Sequence, residues 1–354
     1  MSKLEETIKR IGPLDSEAMA AAQARQDTLT KPLGSLGRLE ELSIQLAGIT
    51  GNPQPRIDRK VIITMAGDHG VVVEGVSAYP QEVTPQMVYN FLRGGAGINV
   101  LARHVGATVR VVDVGVAAEL EPHPDLISRK VARGTRNMAI GPAMTREEAQ
   151  MAIELGIEVL EAEVAGGLDV VGTGDMGIGN TTPSSAITAV FTGCSVEVLT
   201  GRGTGLNDDQ LRRKVEVIRQ ALEVNQPHPT DALGVLASVG GLEIGGLAGV
   251  ILGAAANRVP VVIDGFISGA AALVACGISP QARDYLIPAH RSVEIGHRAV
   301  YDHLRLKPLL DMNMRLGEGT GAALAISIVE AAAKILSEMA TFAEAGVSEA
   351  LPED

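Results

Sequence analysis

The chain has no tryptophan, and aromatic residues fill only 2% of its 354 positions. An interior without large rings must be built from Ala, Val, Ile and Leu, and 46% hydrophobic residues supply enough for a sizeable core. There are two cysteines, Cys194 and Cys276, in no CxxC or disulfide spacing, which fits a reducing cytoplasm. The seven histidines show no HxH or HExxH spacing, so no metal site is indicated. The start, Met1-Ser-Lys-Leu-Glu-Glu, lacks the apolar segment of a secretory signal. The most apolar stretch, about 244–256, contains glycine and is too short to cross a bilayer. Positive charge is also in deficit. A formal net charge of −12 argues against nucleic acid or an anionic membrane as partner. The expectation is a soluble, cytoplasmic protein that acts on small molecules.

Glycine, in contrast, is abundant, with 41 residues, and it suits tight strand-to-helix turns and close packing of helices on a sheet. Short apolar runs without polar alternation occur at 61–66, 108–114, 168–171, 195–199, 259–263 and 285–287. Such runs are typical of parallel strands buried on both faces. Helical stretches are expected between them near 85–104, 145–165, 182–192, 208–224, 232–256 and 268–276. Further helices are expected at 16–26, 36–49, 291–304 and 321–345, with a frayed tail over 346–354. This punctuation predicts an α/β protein: a doubly wound, Rossmann-like parallel sheet of about six strands. The large α/β domain is placed at 56–304. A smaller helical domain is expected from both chain ends, 1–55 with 305–354.

Ligands of open α/β sheets bind outside the carboxyl ends of the strands, so the loops there carry the chemical information. They read Gly67-Asp68-His69-Gly70, Gly172-Thr-Gly-Asp-Met-Gly-Ile-Gly-Asn-Thr-Thr182, Gly201-Arg-Gly-Thr-Gly205 and Asp264-Gly265-Phe266. A fifth loop, Leu316-Gly-Glu-Gly-Thr-Gly321, precedes the last long helix. Gly172-Thr-Gly174-Asp-Met-Gly177 matches GxGxxG, with Glu197 about 20 residues on, as in a dinucleotide fingerprint. Asp175 would, however, put a carboxylate where a pyrophosphate belongs. The helix start is also late, with Thr182 as expected cap and Pro183 behind it. The segment 178–181 then reads better as a cradle for one phosphate, and Gly201–Gly205 as a second, with Lys214 two turns into the next helix. Glu318, between Gly317 and Gly319, is the most unusual acid, either a ligand-facing carboxylate or a glutamate favoured by a helix N-terminus. For His69 a hydrogen-bonded loop position is expected.

In sequence order, Lys31-Pro-Leu-Gly-Ser-Leu-Gly37, Gly67-Asp-His-Gly70, Gly75-Val-Ser-Ala-Tyr-Pro80 and Gly174-Asp-Met-Gly-Ile-Gly-Asn-Thr-Thr182 are followed by Gly201-Arg-Gly-Thr-Gly205. Asp264-Gly-Phe-Ile-Ser268, His290-Arg-Ser292 and Arg315-Leu-Gly-Glu-Gly-Thr-Gly321 complete the series. Together they resemble the motifs of the nicotinate-nucleotide–dimethylbenzimidazole phosphoribosyltransferase family. The resemblance implies transfer of a 5-phosphoribosyl group from nicotinate mononucleotide to dimethylbenzimidazole, with inversion at C1′ and release of nicotinate. It implies Glu318 as general base, and Gly177, Gly179, Asn180, Thr181, Gly203, Gly205, Lys214, Ser292 and Asp264 around the phosphate and nucleotide. Ser77, Tyr79, Gln86, Met176 and Leu316 are implied around the benzimidazole, and no cofactor is required. Asp175 stands where the family is expected to carry Glu, a second carboxylate with shorter reach. Val111-Val-Asp-Val-Gly115 lacks the acids of a phosphoribosyl-pyrophosphate loop, consistent with a metal-free reaction. For Glu318, burial against an aromatic substrate is expected to outweigh the helix dipole and raise the pKa. The family further implies a homodimer. Two other readings stay open: an NAD-dependent oxidoreductase, and the same transferase acting on adenine or a phenol.

Overall fold

A computed structural model describes residues 1–203 and 205–348, so Thr204 and most of the expected frayed tail, 349–354, lie outside the described residues. Six parallel strands form one sheet: β1 (Lys60–Gly67), β2 (Thr108–Gly115), β3 (Leu126–Ser128), β4 (Val170–Met176), β5 (Val261–Ile263) and β6 (Leu286–Pro288). Their order is β3-β2-β1-β4-β5-β6. The chain builds outward from β1 in one direction, then returns to β4 and builds outward in the other. The crevice between the carboxyl ends of β1 and β4 is therefore the switch point at which such sheets bind ligands.

The doubly wound α/β architecture is as the sequence implies, with one exchange of strands. The run at 195–199 is not a strand: Val196–Leu199 is a single helical turn entered from Ser195. A five-residue apolar run fits either state, and here β4 already has β1 and β5 as neighbours. The sixth strand is instead Leu126–Ser128, three residues too short to stand out as an apolar run. Glycine also divides two of the expected helices. The stretch 85–104 is Val83–Leu92 and Gly97–Val105, parted at Gly94 and Gly95, and 232–256 is Ala232–Val239 and Leu242–Ala256, parted at Gly240 and Gly241. The helix at 321–345 ends at Glu338, with a last turn at Phe342–Ala345, and Lys3–Arg10 is an additional helix.

The sheet is covered on both faces. One face packs on Arg146–Ala165, Leu242–Ala256 and Phe266–Ile278, the other on Arg38–Thr50, Gly97–Val105 and Thr320–Glu338. Small residues let helices approach to backbone contact: a Cβ at Gly156 would lie 1.9 Å from the Gly246 carbonyl oxygen. Helices Ser16–Thr28, Arg38–Thr50 and Thr320–Glu338 pack together, and Leu29 bridges to Thr341. Thr320–Glu338 is long and apolar enough to cross a membrane, by length and composition. Here it is a core helix, lying against β1, β4 and β5 as well as against its helical neighbours.

Candidate active site

Four strands deliver polar groups to one rim. β1 is followed by Asp68 and His69, β4 carries Asp175, β5 is followed by Asp264, and β6 by His290. Asp175 sits one residue before the end of β4, in register with Met65. The segment bearing Glu318 closes over these ends. Its approach depends on Gly174, where a Cβ would lie 2.3 Å from the Glu318 carbonyl oxygen and 2.8 Å from Thr64 Oγ1. Thr64 Oγ1 donates to that carbonyl at 3.1 Å. From below, the Asp264 carboxylate accepts from the backbone N–H of Gly319 (3.2 Å) and of Ala322 (3.0 Å), capping Thr320–Glu338. These bonds hold Glu318 at φ +65°, a conformation costly for a side chain with a Cβ.

The Glu318 side chain is buried, and Oε2 accepts from the Ile98 backbone N–H at 3.3 Å, in the first turn of Gly97–Val105. Burial raises its pKa, and the Ile98 bond lowers it less. The group that opposes burial here is the Ile98 N–H, on a different helix from the one Glu318 precedes. Asp175 is also buried; Oδ2 accepts from Asn180 Nδ2 at 2.9 Å, and Oδ1 has no protein partner among the described residues. Its pKa is raised well above the usual range by burial, then by repulsion from Asp264, Glu243 and Glu318. Asp264 is pushed up to about 7 by burial, against the backbone bonds that favour its ionised form.

Glu318 and Asp175 border a cavity of about 570 Å³. Ser77, Tyr79, Asp175, Met176, Gly177, Gly179, Asn180, Thr181, Gly203, Ser292, Leu316 and Glu318 all line it. Four of the residues singled out in the sequence do not. Gln86 is exposed on Val83–Leu92, and Gly205 is exposed beyond the lining. Asp264 lies behind the wall as a helix cap. Lys214 is fully buried, its Nζ donating at 2.7 Å to Thr181 Oγ1, whose residue lines the cavity. Burial lowers the Lys214 pKa to about 8, with Glu294 opposing. His290, Glu294 and Arg315 line the cavity without having been assigned a role, although His290 and Arg315 open two of the quoted motifs.

The GxGxxG string is not a turn. Gly172 and Gly174 are inside β4, where Gly174 admits the Glu318 segment and Gly172 packs on Ile62 and Ala322, and only Gly177 begins the loop. The following helix, Thr181–Thr192, has Asn180 as its cap, with Pro183 in the first turn rather than at its first position. Glu197 pairs with Arg219 on the surface. His69 is the hydrogen-bonded loop histidine, with Nε2 2.7 Å from Glu243 Oε1 and both side chains buried.

A family model described as phosphoribosyltransferase matches residues 11–347. A nicotinate-nucleotide–dimethylbenzimidazole phosphoribosyltransferase of Chloroflexus aggregans is 64% identical over 349 residues, covering 99% of each chain. The chain belongs to this phosphoribosyltransferase family. The enzyme of the same description from Geobacter sulfurreducens is 61% identical, again over 99% of both chains. The crystal structure of such an enzyme from Thermus thermophilus superposes with a TM-score of 0.90 at 48% identity, covering 95% of this chain and all of that one. The protein is thus a transferase of the phosphoribosyltransferase family, with the cavity at the sheet's switch point.

Proposed function

We propose that the enzyme moves the 5-phosphoribosyl group from nicotinate mononucleotide to 5,6-dimethylbenzimidazole, forming α-ribazole 5′-phosphate, the nucleotide of cobalamin's lower ligand. The observation that carries this reading is the placement of a buried carboxylate, Glu318, in the same cavity as a phosphate-sized cradle. The cradle is the turn 177–181 at the start of Thr181–Thr192, where a helix N-terminus favours an anion although the Ile178, Asn180 and Thr182 N–H groups already donate within the protein, with Lys214 behind Thr181. The donor's leaving group is a cationic pyridinium, which departs from C1′ without protonation. The acceptor attacks C1′ from the opposite face through one ring nitrogen, inverting the centre, and must lose a proton from the other. Glu318 takes that proton, so one base suffices and no general acid is needed.

General-base assistance is worth roughly 10²- to 10⁴-fold, and holding two substrates in line roughly 7–11 kcal/mol more. A raised pKa makes Glu318 a better proton acceptor at neutral pH, where the match between base and medium is closest. Ser77, Tyr79, Met176 and Leu316 line the part of the cavity assigned to the acceptor's rings. The test is direct: purified protein with nicotinate mononucleotide and dimethylbenzimidazole, wild type beside Glu318→Gln. Formation of α-ribazole phosphate that falls at least 10²-fold in the variant supports both reaction and base. Transfer to adenine or a phenol, but not to the benzimidazole, would keep the transferase and replace the acceptor. Binding of NAD in place of the mononucleotide would overturn the reading.

A further inference from the structure

The cavity's lining is acidic. Asp175, Glu294 and Glu318 border it, and apart from His290 the one cationic side chain among the described lining residues is Arg315. Lys214 does not compensate fully, because it is buried behind Thr181. Arg315 forms no ion pair among the described residues. Its single protein partner among them is a backbone group: Nη1 donates to the Gly203 carbonyl at 2.8 Å. The remaining N–H groups of the guanidinium are left for water or substrate.

That one bond joins two segments 112 residues apart in sequence. On one side is Gly203, whose Cα stands beside the phosphate cradle: a Cβ there would lie 3.0 Å from Thr181 Oγ1 and 3.4 Å from Lys214 Nζ. On the other side, Arg315 is three residues before Glu318 in the same short segment. We propose that Arg315 is a positioning residue that couples the substrate's 5′-phosphate to Glu318: one N–H stays on Gly203, another takes a phosphate oxygen, and the segment bearing the base is drawn into register. The proposal rests on the transferase reading above and adds a use for the phosphate beyond anchoring. Energy from a remote, unreacting group would then appear in the rate of the chemical step and not only in binding. A guanidinium is suited to this, since its planar fork can address a carbonyl and an oxyanion at once, whereas an ammonium is a point charge.

The experiment compares two donors, nicotinate mononucleotide and the nicotinate riboside that lacks the phosphate, in wild type, Arg315→Ala and Arg315→Lys. In wild type the mononucleotide is expected to exceed the riboside in kcat as well as in kcat/KM. Arg315→Ala should lose about 10²-fold in kcat with the mononucleotide, the scale of an ~1 Å misplacement of a reacting group, and so narrow the kcat gap between donors. Arg315→Lys should restore most of the KM but not the kcat. An unchanged gap in Arg315→Ala, or an effect confined to KM, would overturn the coupling. Equal losses with both donors would assign Arg315 to the nicotinate carboxylate or to the fold, and would overturn it too. If the riboside is too slow to measure, the split between kcat and KM in the Ala and Lys variants decides alone. Absence of wild-type turnover with the mononucleotide would count against the reaction itself, a separate result.

Discussion

Gly174→Ala tests whether the backbone, and not only its carboxylate, makes Glu318 effective. The added methyl would stand 2.3 Å from the Glu318 carbonyl oxygen and 2.7 Å from its carbonyl carbon. Carbon–oxygen contacts relax at about 3.3 Å, so the segment must retreat by roughly 1 Å. It cannot do so freely, because Thr64, Asp264 and Ile98 each bond to it. A displacement of this size at a reacting group can cost about 10²-fold. The expected result is a fall in kcat near that figure, with KM for the mononucleotide changed little, since the cradle at 177–181 lies beyond the strand. Gly172→Ala is the control. Its methyl would meet the Ile62 Cδ1 atom at 2.4 Å, the far end of a side chain that can rotate away. Both variants should lose stability by about 1–3 kcal/mol of overpacking, measured by urea denaturation. Wild-type kcat in a folded Gly174→Ala enzyme, or equal kcat losses in the two variants, would refute the argument that close approach at Gly174 sets the base.

Two further predictions concern charge. Asp175 binds its proton more tightly folded than unfolded, so the folded state holds more protons above the unfolded pKa, and stability falls as pH rises from there towards the folded pKa. Asp175→Asn should therefore raise the melting temperature more at pH 8 than at pH 4; a larger gain at pH 4 would reverse the sign. Lys214 is depressed to about 8, so the unfolded chain holds the extra proton between there and the ordinary lysine value of 10.5, and stability should rise with pH across that window. Lys214→Met should abolish that rise and weaken mononucleotide binding, seen as a higher KM. In wild type, KM should climb as pH passes about 8 and the ammonium is lost; a KM flat from pH 7 to 9 would remove Lys214 from the phosphate site.

The sheet was largely legible because its longer strands are buried on both faces and read as unbroken apolar runs, as at Val61 to Ala66. Leu126–Ser128 escaped because three residues carry no periodicity, and Val196–Leu199 misled because a short apolar run suits a buried turn of helix equally well. Breaks at Gly94-Gly95 and Gly240-Gly241 were visible as glycine pairs, but whether a pair bends a helix or ends it depends on what packs there. Glu318 stood out between two glycines. The role of Asp264 did not, since the N–H groups it caps lie 55 and 58 residues away and meet it only in the fold. For the same reason the sequence offers Lys214 as a candidate phosphate group without revealing its bond to Thr181.

Asp264 follows the fifth strand, yet the two N–H groups it accepts from belong to residues 319 and 322. During synthesis every strand of the sheet leaves the ribosome before those partners do. Until the Thr320–Glu338 helix docks with the segment before it, Asp264 lacks the two N–H groups it accepts from, and Glu318 lacks its bonds to Thr64 and Ile98. Docking that helix fixes the position of the proposed base. A chain stalled before it could retain much of the sheet and would still have no chemistry to offer.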